Sequence, residues 1–529
     1  MDQRSFTAGL IETKMFHLMG AQWSTPIDQG RVISLEPNES MVPGKLSATE
    51  VEPQAFAPPH QQHRLRSGSL GIIDISAATM ANIGPAMSFF FGFGFLAITA
   101  GVASPLTIVA AGIAIAFLAN TLSEFSKAQP SAGGFITFVG KSFGPTSAVT
   151  TAILAGVGYI VAMASVIAIS GGFLSIILSH YLKWNVPWGI LTVILTILAV
   201  MLMIRGVSVS TKVAGFFFAF EISVLFIVSI VAIIHSGGHL SLTPFEPSHI
   251  TNGMSGLAAG FPLAIYLFIG WENSAALAEE TNDPRRNVPK AVFASVAIMS
   301  ISYIVFAYAT VTGFNYNVTK LGNAAIPFIS VANGTVAVLA FLAYLAGMTS
   351  TLGALVAGTN SQARLIFSAG REGLLPSVIG KVHQERRTPM NAILVFVGIS
   401  VLLIGGWAVA HLVGSGTMDP INFFAESSTM GTILVLLVYL LANLALPVYY
   451  KKHKPADFKM VRHGVLPILG ALFIVVPLYY LAKPGQPTPY NWYPYIALIV
   501  VVLAVIYAAV LSKRNPGLAD RVGSIVADE

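Results

Sequence analysis

The sequence predicts an all-α protein that crosses a membrane many times, and both its composition and its long apolar runs point to this class. Of its 529 residues, 55% are hydrophobic and only 10% are charged, whereas a soluble globular protein carries about 25% charged residues. So few charges cannot give a chain of this length a hydrated surface. The composition therefore excludes a soluble enzyme, a coiled coil and a disordered scaffold.

From Leu70 onwards, twelve apolar segments are long enough to span the hydrocarbon core of a bilayer, which takes about 20 helical residues. They are unbroken apolar runs, unlike the alternating strands of a membrane barrel. Their approximate bounds are residues 70–95, 98–123, 146–178, 186–204, 211–235, 255–276, 289–314, 331–362, 390–413, 421–446, 464–482 and 491–512. We expect helices 1–10 to form the core (residues 67–446), helices 11 and 12 to follow (447–512), and residues 513–529 to form a tail.

The first 66 residues are polar, have no sustained periodicity and lack the apolar core of a signal peptide. They predict a largely disordered tail. An alternative is that the scattered apolar side chains of residues 6–23 form a short amphipathic helix that docks on the body of the protein.

The lysines and arginines fall almost entirely on one side of the predicted spans. With twelve spans, 26 of the 29 lie on the side of the N-terminus, and the other three are Lys183, Lys320 and Lys483. Because cationic loops stay in the cytoplasm, both termini are predicted to be cytoplasmic. The net charge of +6 thus reflects membrane orientation, and we do not expect nucleic acid as a partner.

Two of the predicted spans contain residues that interrupt a helix. In the first span, Pro85 removes a backbone hydrogen bond and Gly84 lets the chain open. In the sixth, Gly270 is followed by the polar residues 272–274. Interruptions five helices apart are typical of two inverted five-helix repeats, in which the helix ends bind substrate at the bilayer midplane. For the first span alone, a simple kinked helix is the alternative.

Four carboxylates lie in or near the predicted spans, where a charge is costly and therefore marks a functional candidate. Asp74 and Glu426 lie about one turn from a membrane face, so snorkelling to the interface explains them equally well. Glu221 and Glu272 lie deeper, which favours a role in function or gating. No cysteine is present, and the spans contain no His pair, HExxH motif or acidic metal site. We therefore expect no metal, no cofactor and no enzymatic activity.

Several longer motifs resemble those of one transporter family. They are residues 123–135, 141–145, 268–272, 279–291 and 364–376, with Thr388 and Pro389 beyond the last. In spacing and residue type they resemble the signatures of the amino acid–polyamine–organocation (APC) superfamily, and the resemblance covers about residues 68–512. It implies a LeuT-like 5+5 inverted repeat with helices 1 and 6 broken, and a secondary active transporter of amino acids in the plasma (inner) membrane.

The resemblance also implies a substrate site at the two breaks. The α-carboxylate of the substrate would meet backbone N–H groups of residues 83–86, and its α-ammonium would meet carbonyls of residues 80, 81, 268 and 269. Two aromatic side chains could close over the ligand or simply pack between helices. The expected substrate-binding residues are Met80, Ala81, Asn82, Ile83, Gly84, Pro85, Ala86, Tyr266, Phe268, Ile269, Gly270 and Trp271.

Coupling and gating are expected at charged residues. Glu221 falls where several proton-coupled relatives carry a lysine, so it could carry a proton or only bind backbone. Gly353 and Ala354 fall near the positions of the sodium-ligating Ser/Thr pair, which disfavours sodium. Glu272 would order the opened sixth helix. Ion pairs that break when an inner gate opens would involve Glu279, Glu280, Arg285, Arg286 and Arg371, although a solvated cytoplasmic face explains the same charges.

The sequence leaves other functions open. It departs from the family pattern at residues 82–86, with one glycine and an added proline, so the accepted substrate is not defined. An amino acid exchanger or a polyamine or organic cation importer would have the same fold. The long N-terminal tail also allows a regulatory role in addition to transport.

Overall fold

The computed structural model describes residues 65, 67–236, 240–383, 385–413, 418–525 and 527. Over these ranges the chain is helical, with one isolated parallel bridge between Leu70 and Thr281. The predicted N-terminal tail, including the possible helix at residues 6–23, lies outside the described residues apart from Leu65.

The helices are connected by short turns, some of them 3-10 or π turns. Numbered in chain order, the α-helices of the described residues are α1 Ile72–Ile83, α2 Pro85–Ala100, α3 Ser104–Ala128, α4 Phe135–Phe143, α5 Pro145–Ile177, α6 Trp188–Ile204, α7 Val207–His235, α8 Gly253–Tyr266, α9 Asn273–Ala276, α10 Pro284–Gly313, α11 Val318–Gly322, α12 Pro327–Asn333, α13 Ala337–Arg371, α14 Met390–Val413, α15 Pro420–His453, α16 Leu466–Ala482, α17 Tyr493–Arg514 and α18 Leu518–Arg521.

In the part of the chain that the structure describes, nine helical stretches are long and apolar enough to cross a membrane. One of them, Ile72–Ala128, contains α1, α2 and α3. Two further apolar helices, α6 and α8, are shorter than a full crossing. The protein is therefore an all-helical, multi-pass membrane protein. The count of twelve crossings and the inverted repeat stay predictions.

The outer helices have apolar faces that no other part of the described chain covers. In α17, Leu498, Ile499 and Val502 are all exposed. On a soluble protein such a surface would aggregate, whereas in a bilayer it contacts lipid tails at no cost. Aromatic side chains in the core, such as Phe89, Phe268 and Tyr303, are fully buried.

Small residues allow helices α5 and α15 to pack closely. A Cβ atom at Gly431 of α15 would lie 2.7 Å from the Gly158 carbonyl oxygen of α5 and 2.8 Å from the Ala162 backbone nitrogen. Lipid tails are as apolar as leucine, so close van der Waals packing must hold helices together in a membrane. Glycine is therefore required at this contact.

We expect Gly431→Val to lower the free energy of unfolding by about 1–3 kcal/mol, because the added side chain forces α5 and α15 apart. Unfolding of the purified protein in an SDS titration measures this. Gly405→Val is the matched control, because Gly405 lies in a membrane helix with nothing within 4 Å of its Cβ position. An equal loss in both variants would show that helix propensity, and not the contact, accounts for the effect.

Candidate functional site

The first helix break lies between α1 and α2. Gly84 has a left-handed backbone (φ +60°), and its N–H donates to the Met80 carbonyl oxygen at 3.2 Å. Pro85 then starts α2 at a position where a missing N–H does no harm. A Cβ at Gly84 would lie 3.1 Å from the Ala354 Cβ, so both the backbone angle and the close approach of α13 require glycine.

The second break follows α8. After Tyr266 the chain makes tight turns before the single helical turn α9. Gly270 has φ +105°, and a Cβ there would lie 2.7 Å from Asn82 Nδ2. This backbone geometry, like that of Gly84, is one that other residues adopt only with strain.

The two breaks are in direct contact with each other. Asn82 Nδ2 donates to the Gly270 carbonyl oxygen at 3.2 Å. A second hydrogen bond joins the same two segments: the hydroxyl oxygens of Thr79 in α1 and Ser274 in α9 lie 2.7 Å apart. The structure therefore brings together residues that are 188 and 195 positions apart in the sequence.

All twelve residues expected to bind substrate lie at this contact, in the two helix ends and the turn after α8. Tyr266 and Ile269 are partly exposed, and the other ten are buried. The Phe268 ring packs edge-to-face on Tyr303 at 5.4 Å, and Tyr266 packs the same way on Phe424 at 5.9 Å. These contacts show both aromatic side chains packed between helices in this conformation.

The first turn of α2 is capped by side chains from other helices. The Ala86 N–H donates to Glu221 Oε2 of α7 at 3.2 Å, and the Met87 N–H donates to Ser350 Oγ of α13 at 3.0 Å. Pro85 has no N–H to offer. The donors that the sequence assigns to a substrate carboxylate are thus already bound by the protein in this conformation.

Glu272 stabilises the second break from inside. Its Oε2 accepts the Gly270 N–H at 3.2 Å, and its Oε1 accepts the Tyr159 hydroxyl of α5 at 2.6 Å. A backbone N–H freed by a break inside a membrane has no water to bind, so this carboxylate replaces the lost helical partner. A cavity of about 10 Å³ lies beside Glu272, enough for about one water molecule.

Charged residues just beyond the second break form buried ion pairs with the end of α13. Glu280 pairs with Arg364, at 2.5 Å for Oε2 to Nε and 3.1 Å for Oε1 to Nη2, and both side chains are only 1% exposed. Glu279 pairs with Arg371 through both carboxylate oxygens. Arg285 donates to the carbonyl oxygens of residues 127 and 128 at 2.9 Å each.

The apolar run that predicts the eighth span ends at residue 362 and leaves Arg364 in a connecting loop, but this boundary is wrong for the helix. Helix α13 continues to Arg371, and Arg364 lies fully buried within it. The physical reason is the carboxylate of Glu280, which compensates a charge that hydropathy alone excludes from a buried helix. The sequence also does not reveal that Tyr159 binds Glu272, because a tyrosine in an apolar span most often only packs between helices or anchors at an interface.

The C-terminal segment packs on the same end of the bundle. Gln129 Nε2 donates to the Gly523 carbonyl oxygen at 2.7 Å, and the side chains of Leu518 and Val522 are buried. Beneath this segment, Glu372 follows the end of α13 and is 2% exposed. Burial raises the pKa of the Glu372 carboxyl to about 7.

The two breaks bring polar groups of the backbone and of side chains together inside the bundle. Two broken helices supply backbone groups, and two buried carboxylates lie beside them. Within the described ranges, no group of three or more His, Cys, Asp or Glu residues could hold a metal ion.

Known proteins are similar to this chain over most of its length. Residues 70–504 match the family model described as amino acid permease. The chain is 25% identical over 476 residues to the branched-chain amino acid permease BcaP of Bacillus subtilis (strain 168), covering 84% of this chain and 94% of that protein. It is 24% identical over 431 residues to the methylthioribose transporter of the same strain, covering 76% and 84%. It is 25% identical over 365 residues to the human cystine/glutamate transporter, covering 66% and 68%.

We expect Glu280→Gln to destabilise the protein by about 3–5 kcal/mol, because it leaves the Arg364 charge buried without its partner. The double variant Glu280→Gln/Arg364→Gln should recover part of this loss, since it removes both charges. Unfolding in an SDS titration measures the free energy of unfolding of wild type, of Glu280→Gln and of the double variant. Glu246→Gln is the control: its pair with His249 is about half exposed and contributes at most about 1 kcal/mol. A loss in Glu280→Gln as small as in this control would contradict the prediction.

Stability should also depend on pH through Glu372. Its folded-state pKa of about 7 lies above the ordinary value of 4.5, so the folded protein binds a proton that the unfolded chain releases. The contribution of Glu372 to stability is therefore greatest below about pH 4.5 and is lost as the pH rises to about 7, by at most about 1.4 kcal/mol for each pH unit. Thermal unfolding of wild type and Glu372→Gln between pH 5 and 8 measures this. The variant should gain stability relative to wild type as the pH rises, and a constant difference would contradict the assignment.

Proposed function

This chain belongs to the amino acid permease family of the APC superfamily, and on that premise we propose that it is a secondary active transporter that imports amino acids by alternating access, coupled to protons. The observation that carries the proposal is the contact between two broken helices with a buried carboxylate, Glu221, at the start of one of them. Helix ends at mid-membrane supply the dipoles that a zwitterion needs.

We propose twelve crossings in a LeuT-like 5+5 inverted repeat, with both termini in the cytoplasm and the protein in the plasma membrane. The shorter helices α6 and α8 would complete the count, with α9 extending α8 beyond its break. The distribution of Lys and Arg, 26 of 29 on the side of the N-terminus when twelve spans are counted, supports this orientation.

The proposed substrate site is the contact between the two breaks. Carbonyl oxygens at the end of α1 and in the turn after α8 would receive the α-ammonium group. The start of α2 would receive the α-carboxylate. Tyr266 and Phe268 would move with the turn after α8 as the site opens and closes, because they lie on either side of its first residue.

The inner gate is proposed to be the pair of salt bridges that join the segment after α9 to the end of α13. Glu279 and Glu280 lie three and four residues beyond the end of α9, so a shift of the second break would move both carboxylates. Opening would separate them from Arg371 and Arg364. Buried pairs suit a gate, since breaking them is favourable only when water enters to solvate both charges.

A branched-chain amino acid such as leucine is the proposed substrate, because permeases whose names carry that substrate are among the relatives. Protons are the proposed coupling ion, and sodium is disfavoured. Glu221 is fully buried next to the substrate site, where a carboxylate can take up and release a proton. Ser350, a hydroxyl residue three positions before Gly353, already accepts a hydrogen bond from the Met87 N–H.

The test is uptake of radiolabelled leucine into liposomes that contain the purified protein, with and without an inwardly directed proton gradient. We expect concentrative uptake with the gradient and only equilibration without it. Glu221→Gln should equilibrate leucine but lose concentrative uptake. Glu426→Gln is the matched control: this carboxylate also lies in a membrane helix and accepts one hydrogen bond, from Trp407 Nε1. Uptake that ignores the gradient in wild type would refute proton coupling.

The same liposomes separate import from exchange. Liposomes preloaded with unlabelled leucine are compared with empty ones in the absence of a gradient. An importer takes up label in both, whereas uptake that requires preloading identifies an exchanger. If a polyamine inhibits the uptake of labelled leucine and other amino acids do not, the protein is instead an organic cation importer.

A further inference from the structure

The N-terminus of α2 is occupied by a carboxylate that belongs to the protein itself. The Ala86 N–H donates to Glu221 Oε2, the Met87 N–H donates to Ser350 Oγ, and Pro85 contributes no donor. A helix N-terminus carries a partial positive charge and attracts anions. Because the N-terminus of α2 is buried, a single anion fills it. A substrate carboxylate can reach these donors only if the Glu221 carboxylate weakens its hold.

Only one carboxylate oxygen of Glu221, Oε2, accepts a hydrogen bond from the backbone. Its side chain is 0% exposed, yet Oε1 has no hydrogen-bond partner among the residues that the structure describes. The side chain of Tyr303 is also fully buried and interacts with the same carboxylate. A buried ionised carboxylate is stable only with strong hydrogen bonds, so protonation of Glu221 is favoured when its bond to the Ala86 N–H is given up.

We propose that Glu221 is an internal competitor of the substrate: when ionised it occupies the anion site at the start of α2, and when protonated it releases that site to the carboxylate of an amino acid. This inference rests on the proposed function and adds the physical link between proton and substrate. Two ionised carboxylates at one helix end repel each other, so the second can bind only with a proton.

Each transport cycle moves one proton together with one substrate molecule. A proton from the outside solution binds the free oxygen of Glu221 and neutralises the carboxylate. The Ala86 N–H then donates its hydrogen bond to the substrate carboxylate instead of to Glu221, and the new Glu221 O–H can donate to the same carboxylate. When the substrate leaves to the inside, the proton leaves with it and Glu221 caps α2 again. One proton and one zwitterion thus cross together.

Few other titratable groups face Glu221. Helices α1, α2, α6, α10, α12 and α13 all pack near α7. Among the described residues of these helices, the groups that interact with the carboxylate are Tyr303 of α10, the Ser350 hydroxyl of α13 and the Ala86 backbone. The nearest charge in the sequence of α7 is Lys212, nine residues away or about 13 Å along the helix. Glu221 is thus the group whose charge the start of α2 senses.

The experiment measures leucine binding by the full-length protein in nanodiscs from pH 5.5 to 8.5. In wild type, the Kd for leucine should rise towards tenfold for each pH unit on the alkaline side, which is the signature of one linked proton. In Glu221→Gln, the Kd should not change with pH, and at alkaline pH the variant should bind leucine more tightly than wild type. Glu426→Gln should keep the wild-type dependence.

A second ligand tests the carboxylate directly and needs no variant. 3-Methylbutylamine is leucine without its carboxylate, so it cannot compete with Glu221 for the start of α2. We expect it to bind far more weakly than leucine, with no rise in Kd towards alkaline pH. Tighter binding of the amine than of leucine, strengthening as the pH rises, would mean that Glu221 receives an ammonium group and would overturn the inference.

The outcomes separate this inference from the proposed function. Leucine that binds wild type with the same affinity at every pH would overturn the competition at α2 and leave amino acid transport standing. If leucine binds neither wild type nor Glu221→Gln at any pH, the proposed substrate class is overturned and this inference with it. A pH dependence that survives unchanged in Glu221→Gln would assign the linked proton to another group and overturn the role of Glu221.

Discussion

The need to satisfy backbone groups where a membrane helix is broken is the constraint on which the rest of this structure depends. Inside a bilayer no water replaces a lost helical hydrogen bond, so each freed N–H or C=O must find a partner within the protein. Here the partners are side chains: three come from distant parts of the chain, and one, Glu272, is only two residues from the N–H that it accepts. The contacts that satisfy the breaks are Asn82 to Gly270, Glu272 to Gly270, Ala86 to Glu221 and Met87 to Ser350.

This constraint gives the two deep carboxylates different characters. Both oxygens of Glu272 are hydrogen-bonded, one to backbone and one to Tyr159, so the side chain acts as part of the scaffold of the second break. Glu221 has one oxygen bound to backbone and one without a partner among the described residues. A half-satisfied buried carboxylate is the group whose protonation changes the local hydrogen bonds most. We therefore propose the scaffold role for Glu272 and the responsive role for Glu221.

The second break also couples the centre of the protein to one end of the bundle. Helix α9 is a single turn, and Glu279 and Glu280 follow it within four residues. Their arginine partners both lie on α13, the helix that also supplies Ser350 to the first break. Movement of α13 or of the turn after α8 therefore affects the caps and the ion pairs together. Such shared elements are what a two-state gate requires.

The sequence by itself determined the membrane class, the places where two helices break and the deep carboxylates, because these depend on composition and on what Gly, Pro and Glu do locally. Only the tertiary structure decided the partners: Tyr159 is 113 residues from Glu272, and Ser350 is 263 residues from Met87. The eighth span shows the same limit, since its hydropathy ends at residue 362 while α13 continues to Arg371. A buried arginine is favourable only when a carboxylate from another segment meets it, and local sequence carries no information about that meeting.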